Sequence, residues 1–198
     1  MEEEHYYTEE PKSRYREHEI KARIRNFDLY LKSASGVFSL KEIDSASKLL
    51  IEKAELPKSG RILDLGCGYG AIGIVAAKAC PGCDVILTDI NRRAVKLAIE
   101  NVLLNRVNAE VRQGSIYEPV KGEKFDVILL NPPIVAGRDI VLSMIRQAPA
   151  HLNKNGSLQI VARKTKGGEF LFKEMKKIFS EVKVLAKSGG FWVVKGVK

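Results

Sequence analysis

Between residues 61 and 195, short apolar runs alternate with stretches whose apolar positions recur every three to four residues. A short apolar run bounded by turn signals reads as a buried strand, and the longer 3.6-residue period reads as an amphipathic helix. Strands are predicted on that basis over residues 61–65, 85–88, 109–112, 125–130 and 157–162, and helices over 71–79, 92–104, 137–151 and 169–179. Two further strands, 181–186 and 191–195, flank Lys187-Ser188-Gly189-Gly190 and read as a hairpin. Strand and helix in strict turn predict a parallel sheet with helices on both faces. The fold class is α/β: a doubly wound, mostly parallel sheet of seven strands that ends in an antiparallel C-terminal hairpin.

Upstream of residue 61 the period changes. Residues 19–25 alternate charged and apolar positions (Ile20, Ala22, Ile24), Asn26 interrupts, and Phe27, Leu29 and Leu31 resume the alternation. This predicts a small β-hairpin beside the main sheet. A helix is expected over 42–54, where Ile43, Ala46, Leu49 and Leu50 are helically spaced, and Asn153-Lys154-Asn155-Gly156 is expected to be a turn. Residues 1–18, acidic, aromatic and unpatterned, should form a loosely held arm. The division expected is an arm and hairpin extension over residues 1–40 and the main domain over residues 41–198.

A chain of 198 residues, 45% hydrophobic, is about one domain with a core of its own. No apolar run approaches the roughly 18–20 residues of a membrane span, and the start of the chain lacks a secretory pattern, so a cytoplasmic protein is expected, without membrane partners. Of the three cysteines, Cys67 reads as a small filler. Cys80-Pro81-Gly82-Cys83 reads as a tight turn with two ordinary thiols, because a zinc site needs a second such pair and a redox motif would open the helix rather than follow it; a local disulfide, as in hyperthermophile proteins, is the alternative. No metal is expected. The formal charge of +9 is unevenly placed: residues 1–135 carry 20 Lys+Arg and 20 Asp+Glu, whereas residues 136–198 carry 13 and 4. A basic zone confined to one part of a domain points to a polyanionic partner, most simply nucleic acid.

In a doubly wound sheet, ligands bind past the carboxyl ends of the strands. The first core strand runs into Asp64-Leu65-Gly66-Cys67-Gly68-Tyr69-Gly70-Ala71-Ile72-Gly73. Glycines let a ligand approach the backbone, and the helix start behind them offers unpaired N–H groups. Gly68, Gly70 and Gly73 also satisfy the dinucleotide fingerprint. A carboxylate at Asp64 would repel a pyrophosphate and suits a cofactor that carries a cation. The second strand ends in Asp89-Ile90, where an acid about 20 residues past the turn accepts from ribose hydroxyls and Ile90 can pack on an adenine; Asp89 or Asn91 could equally cap the next helix. The third ends in Gly114-Ser115, and the fourth in Asn131-Pro132-Pro133-Ile134. Two prolines fix the backbone and remove two donors. Carbonyls and the Asn131 amide oxygen are left to grip an exocyclic amine by its two hydrogens.

The glycine segment resembles the first motif of class I S-adenosylmethionine (SAM)-dependent methyltransferases. Asn-Pro-Pro-x resembles the amino-methyltransferases, among them DNA adenine-N6, release-factor glutamine and ribosomal RNA guanine-N2 enzymes. His5-Tyr6-Tyr7-Thr8-Glu9, Ser35-Gly36-Val37-Phe38-Ser39, residues 64–73, Asp89-Ile90-Asn91-Arg92-Arg93-Ala94 and residues 131–134 together are similar to the small-methyltransferase (MTS) group. That group corresponds to the catalytic domain of small-subunit ribosomal RNA guanine-N2 methyltransferases. The resemblance implies a Rossmann-like methyltransferase fold and SAM bound by Phe38, Asp64, Gly66, Cys67, Gly68, Gly70, Asp89, Ile90, Gly114, Ser115 and Asn131, with Asn131, Pro132 and Pro133 as the catalytic residues. Two positions depart from the group's pattern: Ser115 stands where an acid facing the adenine is usual, and Ile134 where an aromatic stacks on the target base. RNA, ribosomal RNA first, is the expected partner. Ile134, Arg163, Lys164 and Lys166 are the residues expected to meet it. A protein glutamine or a DNA adenine is the alternative acceptor. A non-catalytic RNA-binding module and an NAD oxidoreductase are readings of another class.

Overall fold

The computed structural model describes residues 7–11 and 13–198. In chain order, β1 (Glu17–Ile24) and β2 (Phe27–Ala34) are followed by α1 (Ser45–Lys53), β3 (Gly60–Leu65), α2 (Ala71–Ala79) and β4 (Cys83–Asp89). Then come α3 (Arg92–Leu104), β5 (Ala109–Gln113), β6 (Phe125–Leu130), α4 (Arg138–Gln147), β7 (Leu152–Arg163), α5 (Gly168–Lys176), β8 (Glu181–Ser188) and β9 (Phe191–Val197). Seven strands form one sheet in the order β5-β4-β3-β6-β7-β9-β8, parallel except that β9 runs antiparallel to both neighbours. The predicted α/β class and its C-terminal hairpin are present.

Apolar residues on successive strand positions bury both faces. Ile62, Leu87, Val127 and Leu129 pack in a core shared with α1, α2 and α3. Leu63, Leu65, Ile86, Ile128 and Leu130 pack with α4 and α5. The N-terminal hairpin adds Ile20, Ile24, Leu29 and Leu31 to the first of these cores. Its link is a two-residue turn in which Arg25 (φ 49°) and Asn26 (φ 65°) are left-handed, the conformation whose twist matches a tight hairpin. The Arg25 guanidinium then donates to the carbonyls of Ile51, Glu52 and Ala54 at the end of α1.

Five expectations are corrected. The described part of the arm is tied down: Arg93 donates to the carbonyls of Pro11, Ser13 and Ser35 and to Ser13 Oγ, and the Arg92 N–H donates to the Glu9 carbonyl. The two terminal nitrogens of one guanidinium thus satisfy three backbone carbonyls and a hydroxyl, acceptors that a patternless segment cannot pair by itself. Cys80 and Cys83 are disulfide-bonded, their Cα atoms 5.4 Å apart across the Pro-Gly turn. The first helix starts at Ser45 rather than residue 42, because the Asp44 carboxylate accepts from the N–H groups of Ala46 and Ser47 and so caps it. The turn expected at 153–156 is absorbed into β7 as an irregularity opposite β6, with Asn155 left-handed and Asn153 donating to Asp126. The helix ahead of it stops at Gln147, where a short 3₁₀ turn containing Pro149 begins.

Candidate active site

Strand register brings the expected site together. Leu65 pairs with Thr88 on one side and Leu130 on the other, and Asp89 pairs with Gln113. Gly66, Asp89, Gly114 and Asn131 therefore stand within a residue of one line across the carboxyl rim. The order of strands reverses at β3 and β6, which is where a doubly wound sheet opens a crevice. A recess of about 60 Å³ lies there. Gly66, Cys67, Gly68, Asp89, Asn131 and Pro132 all line it.

The glycine turn is built for an open backbone. Gly66 (φ 71°) and Gly68 (φ 57°) are left-handed, and a Cβ added at either would meet nothing within 4 Å. The N–H groups of Gly66 and Cys67 donate to the Thr88 carbonyl, which pins the turn to β4. Gly73 serves a different purpose: it lets α2 lie against Leu87, whose side chain a Cβ would strike at 2.5 Å.

Asp64 is fully buried beneath the turn. Its Oδ2 accepts from the Gly73 N–H at 2.8 Å, while its Oδ1 has no hydrogen-bond partner among the described residues. Burial, with a smaller push from the charge of Asp89, raises its carboxyl to about 7, against the pull of the Gly73 N–H. Asp89 Oδ2 accepts from the Gly68 N–H and Oδ1 from the Asn91 N–H, at 2.8 and 2.9 Å. Burial raises this carboxyl as well, and its backbone donors oppose the shift. The cap of α3 is Asn91, which accepts from Arg93 and Ala94, so Asp89 is not spent on that duty.

The Asn131 amide is oriented by α1. Its Nδ2 donates to Ser47 Oγ at 2.9 Å and approaches Asp44 Oδ1 at 3.5 Å. Among the described residues, neither Asn131 Oδ1 nor the Pro132 carbonyl accepts a hydrogen bond. The Pro133 carbonyl is taken by the Ala136 N–H at 2.9 Å, so of the two proline carbonyls only that of Pro132 is left. Ile134 follows on a 3₁₀ turn and is 50% exposed.

Phe38 also lines the recess, from the loop after the hairpin. Tyr7, which the sequence marks only as part of a family pattern, lines both this recess and a smaller one formed with Ile90, Gly114, Ile116 and Met144. Burial pushes its phenol up. Ser115 follows Gly114 at the end of β5, where its carbonyl accepts from the Glu118 N–H. His5 and Tyr6 lie outside the described residues. The basic loop is displaced from the line of the rim: Leu130 pairs with Ile160, so β7 runs two residues past the level of Asn131 before reaching Arg163. Arg163 stacks on Phe191, and Lys164 lies over Trp192 and pairs with Glu169 at 3.6 Å. The Lys166 side chain is outside the described part of the structure.

A family model described as methyltransferase small domain matches residues 28–195. The chain belongs to the methyltransferase small domain family. As a member it is a SAM-dependent methyltransferase. This methyltransferase small domain protein is 38% identical over 98% of its length to the uncharacterised protein YbxB of Bacillus subtilis (strain 168), of which it spans 98%. Ribosomal RNA small subunit methyltransferase C of Haemophilus influenzae (strain PittGG) is 36% identical over 176 residues, 86% of this chain and 51% of that one. The T. thermophilus 16S rRNA guanine-N2 methyltransferase RsmC, solved in complex with AdoMet and guanosine, superimposes with a TM-score of 0.81 at 25% identity, over 92% of this chain and 50% of that chain. A methyltransferase from Pyrococcus furiosus shares the fold with a TM-score of 0.67 at 23% identity. The chain thus spans about half the length of the ribosomal RNA methyltransferases it matches. Among the described residues, no helix is long and apolar enough to cross a membrane.

Proposed function

We propose that this chain methylates an exocyclic amine of a nucleobase in RNA, with guanine N2 of ribosomal RNA as the best-supported acceptor. One observation carries the reading: the Asn131 nitrogen is anchored on Ser47, which leaves its oxygen as an acceptor, and Asn131 and Pro132 both line the recess. The names of the relatives support RNA and guanine N2.

The residues fit a donor that is a cation attached to a nucleoside. Gly66 and Gly68 leave the turn open to close approach, Asp64 Oδ1 is a buried acceptor without a partner among the described residues, and Asp89 presents a carboxylate where ribose hydroxyls are read. In this reading Gly66, Cys67, Gly68 and Gly70 seat the donor, Phe38 covers its methionine end, and Ile90, Gly114 and Ser115 border its adenine. At about 60 Å³ the recess is below the roughly 300 Å³ at which small-molecule sites begin. Tyr7 and Asp89 line both this recess and the smaller one beside it.

When bound, SAM supplies an electrophilic methyl group on a sulfonium. The chain's own part is to position the acceptor and stabilise charge. Asn131 Oδ1 and the Pro132 carbonyl hold the two hydrogens of the amine and direct its lone pair. They stabilise the positive charge that grows on nitrogen, and the proton is released to water. A strong base is not required, and neither His18 nor His151 lines the recess. The test is transfer of tritium from labelled SAM to ribosomal RNA, tRNA, DNA and protein fractions, followed by nucleoside analysis. N2-methylguanosine in RNA is the expected product; label confined to protein or DNA would overturn the proposal.

A further inference from the structure

A second cleft, of about 440 Å³, opens beside the first, between the 3₁₀ turn after β6 and the start of α5. Its floor and walls are apolar: Ile134, Val141, Leu171 and the ring of Phe170. The Arg138 guanidinium carbon lies over Phe170, 3.7 Å from the ring centre. The neighbouring recess shares Phe170 and carries Lys164 and Lys173. Glu169 is there too, but it is already paired with Lys164. The other acid nearby, Asp139, sits in the first turn of α4.

Three features select the occupant. The volume falls within the roughly 300–1,000 Å³ of small-molecule sites. The walls offer an aromatic ring layered with a guanidinium, the surface on which unstacked bases of single-stranded RNA settle. The rim is basic, as a phosphate backbone demands. The cleft also begins at Ile134, only three residues past Asn131. A base whose amine is held at Asn131 can extend its ring toward this opening.

We propose that this cleft holds the ring of the acceptor base, packed between Ile134 and the layered pair of Phe170 and Arg138. The inference rests on the reading of the chain as an RNA methyltransferase. Phe170 then does from α5 what an aromatic directly after Pro133 would do, and that position is isoleucine in this chain. Arg138 acts through its plane as much as through its charge, because a lysine keeps the charge and loses the stacking surface.

The experiment is steady-state transfer from labelled SAM to ribosomal RNA, comparing wild type with F170A, F170W, R138A and R138K, alongside SAM titration and thermal melting of each. Loss of one base-stacking contact lowers kcat/KM roughly 5- to 150-fold. That loss is expected in F170A, in part in R138K, and not in F170W, with SAM affinity unchanged in all four. F170A and R138K at wild-type kcat/KM would overturn the cleft as the base site. So would a fall in F170A that is matched by lost SAM binding and not restored in F170W, which marks a purely structural role. If wild type itself labels no RNA, the parent reading fails and the base site with it, and that failure is seen before any variant is measured.

Discussion

Replacing Asn131 by alanine removes one of the two acceptors and leaves the Ser47 hydroxyl without its donor. Loss of one such charge-stabilising group costs roughly 10²- to 10³-fold in kcat, and calorimetric titration should find SAM affinity unchanged. Turnover within a few-fold of wild type would remove the amine grip. Asp64 leads to a prediction about pH. Its carboxyl is raised from 3.8 to about 7 by burial, so between those values the folded chain keeps a proton that the unfolded chain has released. Stability is then full at the acid end and falls as pH rises toward 7. Denaturant titrations from pH 4 to 7.5 should show this decline in wild type and a flatter profile in D64N, whose amide oxygen can still accept from Gly73. A difference between wild type and D64N that stays constant over that range would show that the carboxyl does not titrate within it. These roles were legible from residue type and order, because glycine, proline and carboxylate each have few uses at a strand end. That Asp64 also fastens α2 through Gly73 was not legible, since the contact depends on how the turn folds back.

Elements are joined here by polar side chains that leave no periodic signal. Asn101 accepts from the Lys32 N–H and donates to the Lys32 and Tyr69 carbonyls, at 2.7, 2.8 and 2.9 Å. One turn later, Asn105 makes the same paired contact with Tyr30. Together they complete the free side of β2, doing with two amides what a neighbouring strand would do. Truncation of Asn101 to alanine leaves buried backbone groups unpaired at about 1–3 kcal/mol each, so a loss of about 2–3 kcal/mol is expected by chemical denaturation. A change below 0.5 kcal/mol would mean that water replaces the amide. Hydrophobic spacing located the nine strands and five α-helices of the described residues, because each turns apolar residues toward a core, but not the short 3₁₀ turns. It mistook the arm for a loose segment because Arg93 and Arg92, which hold it, lie some 80 positions along the chain.

At the scale of the whole molecule, charge is segregated: the balanced part builds the recess, and the basic part lies in α4 and beyond. Lys164 and Lys187 both lie over Trp192, which gathers two cations on one aromatic, and Lys164 lines the recess that shares Phe170 with the second cleft. Alanine at both should weaken RNA binding and lower the slope of log affinity against log salt by roughly 1–2. An unchanged slope would place the backbone of the RNA elsewhere. Composition alone announced this polarity, but the paths by which distant parts communicate needed coordinates. Helix α1 is gripped at its far end by Arg25, from the hairpin turn, and at its near end offers Ser47 to Asn131. The hairpin, for all that it resembles an appendage, thus shares one nine-residue helix with the acceptor amide: its tip fastens one end of that helix and Asn131 is held by the other.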